Sequence, residues 1–155
     1  METPPSVEFL VLRLAELGIT LPPGPVRVER YGDSADLVRE LTALIRSGRK
    51  RAGTGLLWAY EYFGETVAKA GDIAIVVNEL GNPAVVTRIL SAQVIAFCEV
   101  TAAYAAMEGE GDGSLEYWRK GHWNFFTREC IRIGREPTQS MPVVCVTFEV
   151  LNRLP

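Results

Sequence analysis

The sequence predicts an α+β domain, in which helices and strands occur in separate groups. An amphipathic helical segment precedes several short extended runs, two further helical segments follow, and an alternating strand lies near the C-terminus. This order fits an α+β arrangement better than a strictly alternating α/β fold. The chain has 155 residues, of which 48% are hydrophobic, and this suffices for one core of ordinary size.

The N-terminal part is predicted to be a helix followed by a proline-rich linker. Residues 7–17 are mostly apolar and precede Gly18, a typical helix stop. Three prolines then disrupt regular structure, so residues 18–27 are expected to form a linker. We therefore expect an extension over residues 1–28 and the domain proper over residues 29–155.

The N-terminal segment and the cysteine spacing argue against a secreted, a membrane-spanning and a disulfide-rich protein. Arg13 and Glu16 interrupt the only apolar run near the N-terminus, so neither a signal peptide nor a membrane span is expected, and we expect a cytoplasmic protein. The three cysteines, Cys98, Cys130 and Cys145, are odd in number and far apart. This spacing argues against a disulfide framework and against a cysteine-rich zinc site.

The first helix and hairpin of the domain have clear signals. Ser34 is a good N-cap, apolar residues recur at helical spacing after it, and Gly48 supplies the stop. From Arg51 onward the chain is predicted to form short extended runs. Residues 73–77 and 84–94 are rich in β-branched residues and are separated by a turn, which predicts a hairpin.

The C-terminal half is predicted to contain two helices and a strand. The helices are expected over residues 101–107 and 114–131, the second with Ser114 as its N-cap. Apolar and polar residues alternate over residues 144–150, which indicates a strand with one buried face. The only histidine, His122, lies on an aromatic helical face and is expected to point to the core or to a cleft.

Two charged segments are candidates for a functional site. Four cations and no acid lie between Arg46 and Arg51, in a chain whose net charge is -3. They either form a solvated helix end or, with the flanking glycines, bind a phosphate. Residues 108–113 alternate acids with glycines, but the calcium-loop pattern fails at Arg119, where a glutamate is required. This loop positions a general base or a magnesium ligand, or it is a flexible connection.

The ordered series of short motifs resembles bacterial ASCH domain proteins over about residues 29–151. The matching segments are residues 31–34, 48–50, 56–58, 71–72, 108–112, 114–115, 118–119, 122, 125–126 and 143–150. The resemblance implies a PUA-like β-barrel flanked by α-helices, with a cleft between barrel and helices. It also implies a general association with RNA.

The resemblance further implies a lysine and a threonine at the mouth of the cleft, in the pattern G-x-K-x-x-T. Gly48 and Lys50 match, but Gly53 stands at the threonine position. One branch of the superfamily is implied to hydrolyse the amide of N4-acetylcytidine with a lysine, a threonine and a glutamate, here Lys50 and Glu108. Glycine supplies no hydroxyl nucleophile. Thr54 is expected to face the opposite side of its strand, so replacing the hydroxyl would require a bulge or a register shift.

We therefore expect a magnesium-dependent ribonuclease acting on single-stranded RNA rather than an amidohydrolase. The other members of the family are implied to act in this way, and aromatic residues for stacking of bases follow the basic cluster. The candidate residues are Lys50 and Glu108 for catalysis, Arg49, Arg51, Thr54, Trp58, Ser114, Tyr117 and Arg119 for RNA or nucleotide binding, and Glu108 and Glu110 for Mg²⁺.

Other functions stay open at this level. The protein could be an amidohydrolase of a modified nucleoside after all, or a binding module for RNA or a nucleotide without catalysis. Lys50 would stabilise developing negative charge, or act as a base if burial lowers its pKa. The natural ligand, the oligomeric state and the role of residues 1–27 are not predicted by the sequence.

Overall fold

The computed structural model describes residues 2–155, and these contain five α-helices and five β-strands. In chain order the elements are α1 (Val7–Glu16), β1 (Val26–Glu29), α2 (Ala35–Arg46), β2 (Ala52–Leu56), α3 (Leu57–Phe63), β3 (Ile73–Val77), β4 (Pro83–Ala96), α4 (Ala102–Glu108), α5 (Leu115–Ile133) and β5 (Pro142–Arg153). A 3₁₀ turn at Phe97–Glu99 follows β4. The predicted α+β class is confirmed.

All five strands form one mixed sheet in the order β1-β3-β4-β5-β2. Strand β1 is parallel to β3, and the other neighbours are antiparallel. Within residues 2–155, the edge strands β1 and β2 share no ladder of backbone hydrogen bonds, so the sheet is not closed. The expected barrel is therefore present only as an open sheet.

The open sheet surrounds a cavity of about 610 Å³. Residues 28–33 at the end of β1 and residues 53–56 of β2 line the cavity, together with residues of α3 and α5. Strands β4 and β5 change register twice, between Val86 and Thr87 and between Ile89 and Ser91. Such bulges bend and twist long strands. They account for a sheet whose two edges lie around the same cavity.

Helices cover both faces of the sheet. Leu10 and Leu14 of α1 pack with Ile73 and Ile75 of β3 in one apolar cluster. Helix α2 begins where the side chain of Ser34 caps it, as predicted. Helices α4 and α5 pack on the other end of the sheet with residues of β2 and β5. None of the helices in the described chain is long and apolar enough to cross a membrane.

The structure departs from the sequence prediction at three elements. Strand β1 begins at Val26, within the expected linker, and α3 replaces an expected extended run. In β5 the four consecutive residues from Val143 to Val146 are all buried, not only those of one face. The reason is that the helices α4 and α5 cover the face that a two-layer domain would leave in water.

Candidate functional site

A buried carboxylate, Glu108, is the centre of the candidate site. It is the last residue of α4, and the helix ends because Gly109 adopts the left-handed conformation with φ 64°. A Cβ atom at position 109 would lie 2.4 Å from the carbonyl oxygen of Arg49. Only glycine therefore allows the turn after α4 to approach the segment that carries Lys50.

Three side chains donate hydrogen bonds to Glu108, and a fourth, His122, lies within ion-pair distance. Lys50 Nζ donates to Oε1 at 2.5 Å. Oε2 accepts from Thr54 Oγ1 and from Trp118 Nε1, each at 2.6 Å, and His122 Nε2 lies 3.1 Å from the same oxygen. A buried carboxylate is stable only when it is paired and hydrogen-bonded in this way.

Lys50 is only 1% exposed and bridges two carboxylates. Its Nζ also donates to Glu110 Oε2 at 3.0 Å. Burial lowers the pKa of Lys50, but the charges of Glu108 and Glu110 outweigh burial and raise that pKa above its usual value. Lys50 is therefore a permanent cation at neutral pH, which argues against the expectation of a lysine base.

The two carboxyl groups differ in their pKa. Burial raises the pKa of Glu108, but Lys50 and then His122 lower it well below the usual value. Burial raises the pKa of Glu110 as well, and there the repulsion from Glu108 reinforces burial, so that the net shift is upward despite Lys50. Glu108 is thus the fixed anion of the cluster, and Glu110 is the carboxyl that takes up a proton more readily.

His122 is the second basic group of the cluster. Its Nδ1 lies 2.9 Å from the carbonyl oxygen of Trp118, which can only accept, so Nδ1 carries a proton. Its Nε2 faces the Glu108 carboxylate, and its ring stacks on Trp118 with centroids 4.2 Å apart. Burial lowers the pKa of His122, but the charge of Glu108 reverses this and raises it. The expected orientation of His122 toward a core or cleft agrees with this position.

The expectation that Thr54 faces away from the cluster is wrong. Strand β2 pairs with β5 in continuous register, with Thr54 opposite Cys145, and no bulge occurs. The hydroxyl of Thr54 nevertheless donates to Glu108. It is position 53 that faces the other side, where a Cβ atom would lie 2.5 Å from the ring of Tyr31. The glycine is needed for this packing, and the threonine of the cluster is its neighbour.

The cavity between the sheet edges adjoins this cluster. Thr54 lines the cavity and also contacts Glu108, and Tyr31 lines it and lies under Lys50 Nζ, 5.4 Å from its ring centroid. Tyr60 packs on Gly55 at the same strand. The charged lining residues are four acids and two arginines, namely Glu29, Asp33, Glu65, Glu129, Arg30 and Arg132. Glu29 pairs with Arg27, and Asp33 pairs with Arg128 and Arg132, so two of these four acids are compensated by neighbouring cations.

The other predicted residues lie outside the hydrogen-bonded cluster. Arg49 is exposed and donates to the carbonyl oxygen of Gly111, and Arg51 is also exposed. The ring of Trp58 packs against the guanidinium of Arg135, 4.4 Å from its centroid. Thus the lysine that was expected to bind phosphate is buried, while its two arginine neighbours face solvent.

The remaining candidates lie near the start of α5. The hydroxyl of Ser114 accepts from Tyr117 N and so caps the helix. The ring of Tyr117 covers Gly111. Arg119 borders a separate groove together with Lys120 and Trp123. These residues stabilise the loop and the helix next to the cluster, and their contact with RNA stays a prediction.

The residues do not fit a resident magnesium ion well. Glu108, Glu110 and His122 offer ligand atoms that all lie within 4.8 Å of one another. However, the ammonium of Lys50 already lies between the two carboxylates, and Glu108 Oε2 accepts from Thr54 and Trp118 and contacts His122. Magnesium requires near-octahedral oxygen ligands and retains several waters. The cation position is therefore already filled by the chain itself.

Comparison with known proteins agrees with the fold and with the motif series. The family model of the ASCH domain matches residues 28–152, so the chain belongs to the ASCH domain family. An ASCH domain structure from Lactobacillus crispatus JV V101 is 32% identical, with a TM-score of 0.76, and the match covers 81% of this chain and 79% of that one.

A second solved structure covers more of the chain. Protein EF3133 from Enterococcus faecalis V583 is 27% identical over 95% of this chain and 88% of its own, with a TM-score of 0.78. No curated protein shows a significant match. The predicted family is confirmed.

Proposed function

We propose that this protein hydrolyses the exocyclic amide of a modified nucleoside of the N4-acetylcytidine type. The observation that carries the proposal is the contact of Thr54 Oγ1 with Glu108 Oε2 at 2.6 Å. This contact places the hydroxyl of Thr54 in the cluster. The glycine at position 53 had argued against the reaction because it has no hydroxyl. The lysine, threonine and glutamate implied by the family resemblance are thus all present in one hydrogen-bonded group.

In the proposed reaction, Thr54 Oγ attacks the carbonyl carbon of the amide and its proton passes to Glu108 Oε2. Lys50 and His122 hold the pKa of Glu108 low, which makes the carboxylate a weak base for the Thr54 hydroxyl and makes the acid, once protonated, a strong proton donor. It gives the proton to N4 as the bond between carbon and nitrogen breaks, and cytidine leaves. Water then hydrolyses the threonine ester and releases acetate.

Lys50 acts in this scheme as a fixed positive charge. It keeps Glu108 ionised before the attack and favours the negative charge that develops near Thr54 in the transition state. Its buried contact with two carboxylates supports an electrostatic role and not that of a proton acceptor. We expect substitution of Lys50 to impair both the reaction and the stability of the cluster, because the carboxylates would lose their partner.

The cavity supports a free nucleoside as the substrate. Tyr31 and Tyr60 supply aromatic surface for a pyrimidine ring. The carboxylates of the lining can accept hydrogen bonds from groups such as ribose hydroxyls.

RNA binding and RNA cleavage are the alternatives. The exposed Arg49 and Arg51 are suited to the backbone of an RNA strand outside the cavity. A magnesium-dependent ribonuclease is less well supported, because Lys50 fills the position between the carboxylates that a metal would need.

One experiment separates these functions. The purified protein is incubated with free N4-acetylcytidine and, separately, with a single-stranded RNA that contains this nucleoside, each with and without Mg²⁺. We expect release of acetate from the free nucleoside without Mg²⁺, and intact RNA. Cleavage of RNA that depends on Mg²⁺, with the nucleoside unchanged, would establish the ribonuclease. Binding of RNA that weakens with salt, without any product, would establish a binding module.

A further inference from the structure

The hydroxyl of Tyr104 lies at the junction of the cluster and the sheet. It donates to Gly53 O at 2.7 Å and lies 3.0 Å from Thr54 Oγ1. It also accepts from Val146 N at 3.2 Å, and Val146 O lies 3.4 Å away. Since Gly53 is opposite Val146 in the pairing of β2 with β5, this hydroxyl from α4 bridges the two strands beside Thr54.

The number of protons at this junction is smaller than the number of acceptors. A phenol has one proton to donate, and so does a threonine hydroxyl. The Thr54 proton is directed to the Glu108 carboxylate, the stronger acceptor, at 2.6 Å. The contact between Tyr104 and Thr54 can therefore be a hydrogen bond only when Tyr104 turns its proton from Gly53 O to Thr54 Oγ1.

We infer that Tyr104 is a positioning residue for Thr54. The phenolic proton of Tyr104 turns from Gly53 O to Thr54 Oγ1 as the threonine oxygen attacks. This inference rests on the proposed function, because it assigns a role in the same reaction. The Thr54 proton passes to Glu108, Tyr104 keeps its own proton, and only the direction of its O–H bond changes. The oxygen of Thr54 thus has a donor at the moment when it has lost its proton.

Two further observations support a lasting donor at this position. Burial and then the charge of Glu108 raise the pKa of Tyr104 far above its usual value, so the phenol stays protonated. Thr101 caps α4 by accepting from Tyr104 N, which fixes the first turn of the helix relative to the sheet. The ring is therefore held while its hydroxyl rotates.

The test varies the donor strength of residue 104 with little change in its shape. Tyr104→Phe removes the hydroxyl, and site-specific 3,5-difluorotyrosine keeps it but makes it more acidic. For hydrolysis of N4-acetylcytidine we expect kcat to fall about 10²-fold with phenylalanine, as for other lost donors, with KM within about twofold. We expect kcat to rise with difluorotyrosine. Equal kcat for tyrosine and difluorotyrosine would reduce Tyr104 to a packing residue and overturn the inference.

A second measurement does not require activity. Three-bond NMR couplings from Thr54 Cγ2 to its backbone nitrogen and carbonyl carbon report the rotamer of Thr54. We expect one rotamer in the wild type and averaging between rotamers in Tyr104→Phe. An unchanged single rotamer would overturn the positioning role. Absence of hydrolysis in the wild type would instead overturn the proposed function, while the couplings would still decide whether Tyr104 holds Thr54.

Discussion

At the scale of single residues, the charges of the site depend on one another. Glu108 is 1% exposed and contacts two cations, Lys50 and His122. Removal of one partner from a buried ion pair typically costs about 3–5 kcal/mol, since the other charge stays buried without compensation. A change at any of the three residues is therefore expected to affect the ionisation of the other two.

The titration of His122 tests this dependence. The pKa of His122 is raised by Glu108 above its ordinary value of 6.5, despite burial. Protonation of His122 thus stabilises the fold fully below about pH 6.5, and this contribution is lost as pH rises through the higher pKa of the folded state. Because the chain has one histidine, its Cε1 proton gives a single NMR titration curve.

We expect the midpoint of that curve above 6.5, and a free energy of unfolding that declines with pH in the same interval. Glu108→Gln is the matched variant, since it removes the negative charge and keeps the size of the side chain. We expect it to lower the midpoint. A wild-type midpoint below 6.5 would show that burial outweighs the contact with Glu108.

The sequence was sufficient to identify some residues of the site but not their partners. Lys50, Glu108 and Glu110 were predicted, and the structure brings them together. Thr54 was placed on the wrong side because the face of strand β2 that meets Glu108 is fixed by α4 and α5, elements distant in sequence. No sequence pattern identified Tyr104 and Trp118 as site residues, because the pattern around each is that of an ordinary aromatic core residue in a helix.

At the scale of secondary-structure elements, the turn after α4 determines where the two acids lie. Gly109 ends the helix and packs directly on the backbone of Arg49. Glu108 before it and Glu110 after it both reach Lys50. Arg49 in turn donates to the carbonyl oxygen of Gly111. Two contacts, the packing of Gly109 and this hydrogen bond, therefore hold the turn against the segment before β2.

Two helix-ending glycines allow a matched test of this turn. Gly109 and Gly64 end α4 and α3 with φ of 64° and 66°, but a Cβ atom would have no neighbour within 4 Å at Gly64. Gly64→Ala is expected to lower the free energy of unfolding by about 1–2 kcal/mol, because alanine disfavours the left-handed backbone. Gly109→Ala is expected to cost about 1–3 kcal/mol more, because the Arg49 backbone must move.

Denaturant unfolding of both variants gives these free energies directly. The hydrolysis rate is expected to fall for Gly109→Ala and to stay at the wild-type level for Gly64→Ala. Equal losses of stability in the two variants would contradict a close approach of the turn to Arg49.

The elements that sequence analysis missed depend on distant partners. Strand β1 has only four residues and follows a proline-rich segment, and its pairing is provided by β3, far along the chain. Helix α3 has seven residues and no side-chain cap, so its N-terminus carries no signal. The four helices with a serine or threonine cap, α1, α2, α4 and α5, were all predicted close to their true bounds.

At the scale of the whole molecule, the open sheet creates the space for a ligand. A closed barrel would pair β1 with β2, whereas here the two edges line a cavity of about 610 Å³. Thr54 contacts Glu108 and also lines the cavity, whereas Lys50, Glu108 and His122 do not line it. The family resemblance predicted a cleft between barrel and helices, and the cavity is lined by residues of β1 and β2 together with Tyr60 of α3 and Phe125 of α5.

The central claim is that Thr54 is the nucleophile of an amide hydrolysis in this cavity. The most direct measurement compares the rate of acetate release from N4-acetylcytidine for the wild type, Thr54→Ser and Thr54→Ala, with thermal unfolding as a control for folding. We predict that serine retains activity within about tenfold and that alanine loses about 10³-fold or more, as for other lost nucleophiles. Wild-type rates in a folded Thr54→Ala protein would contradict the account.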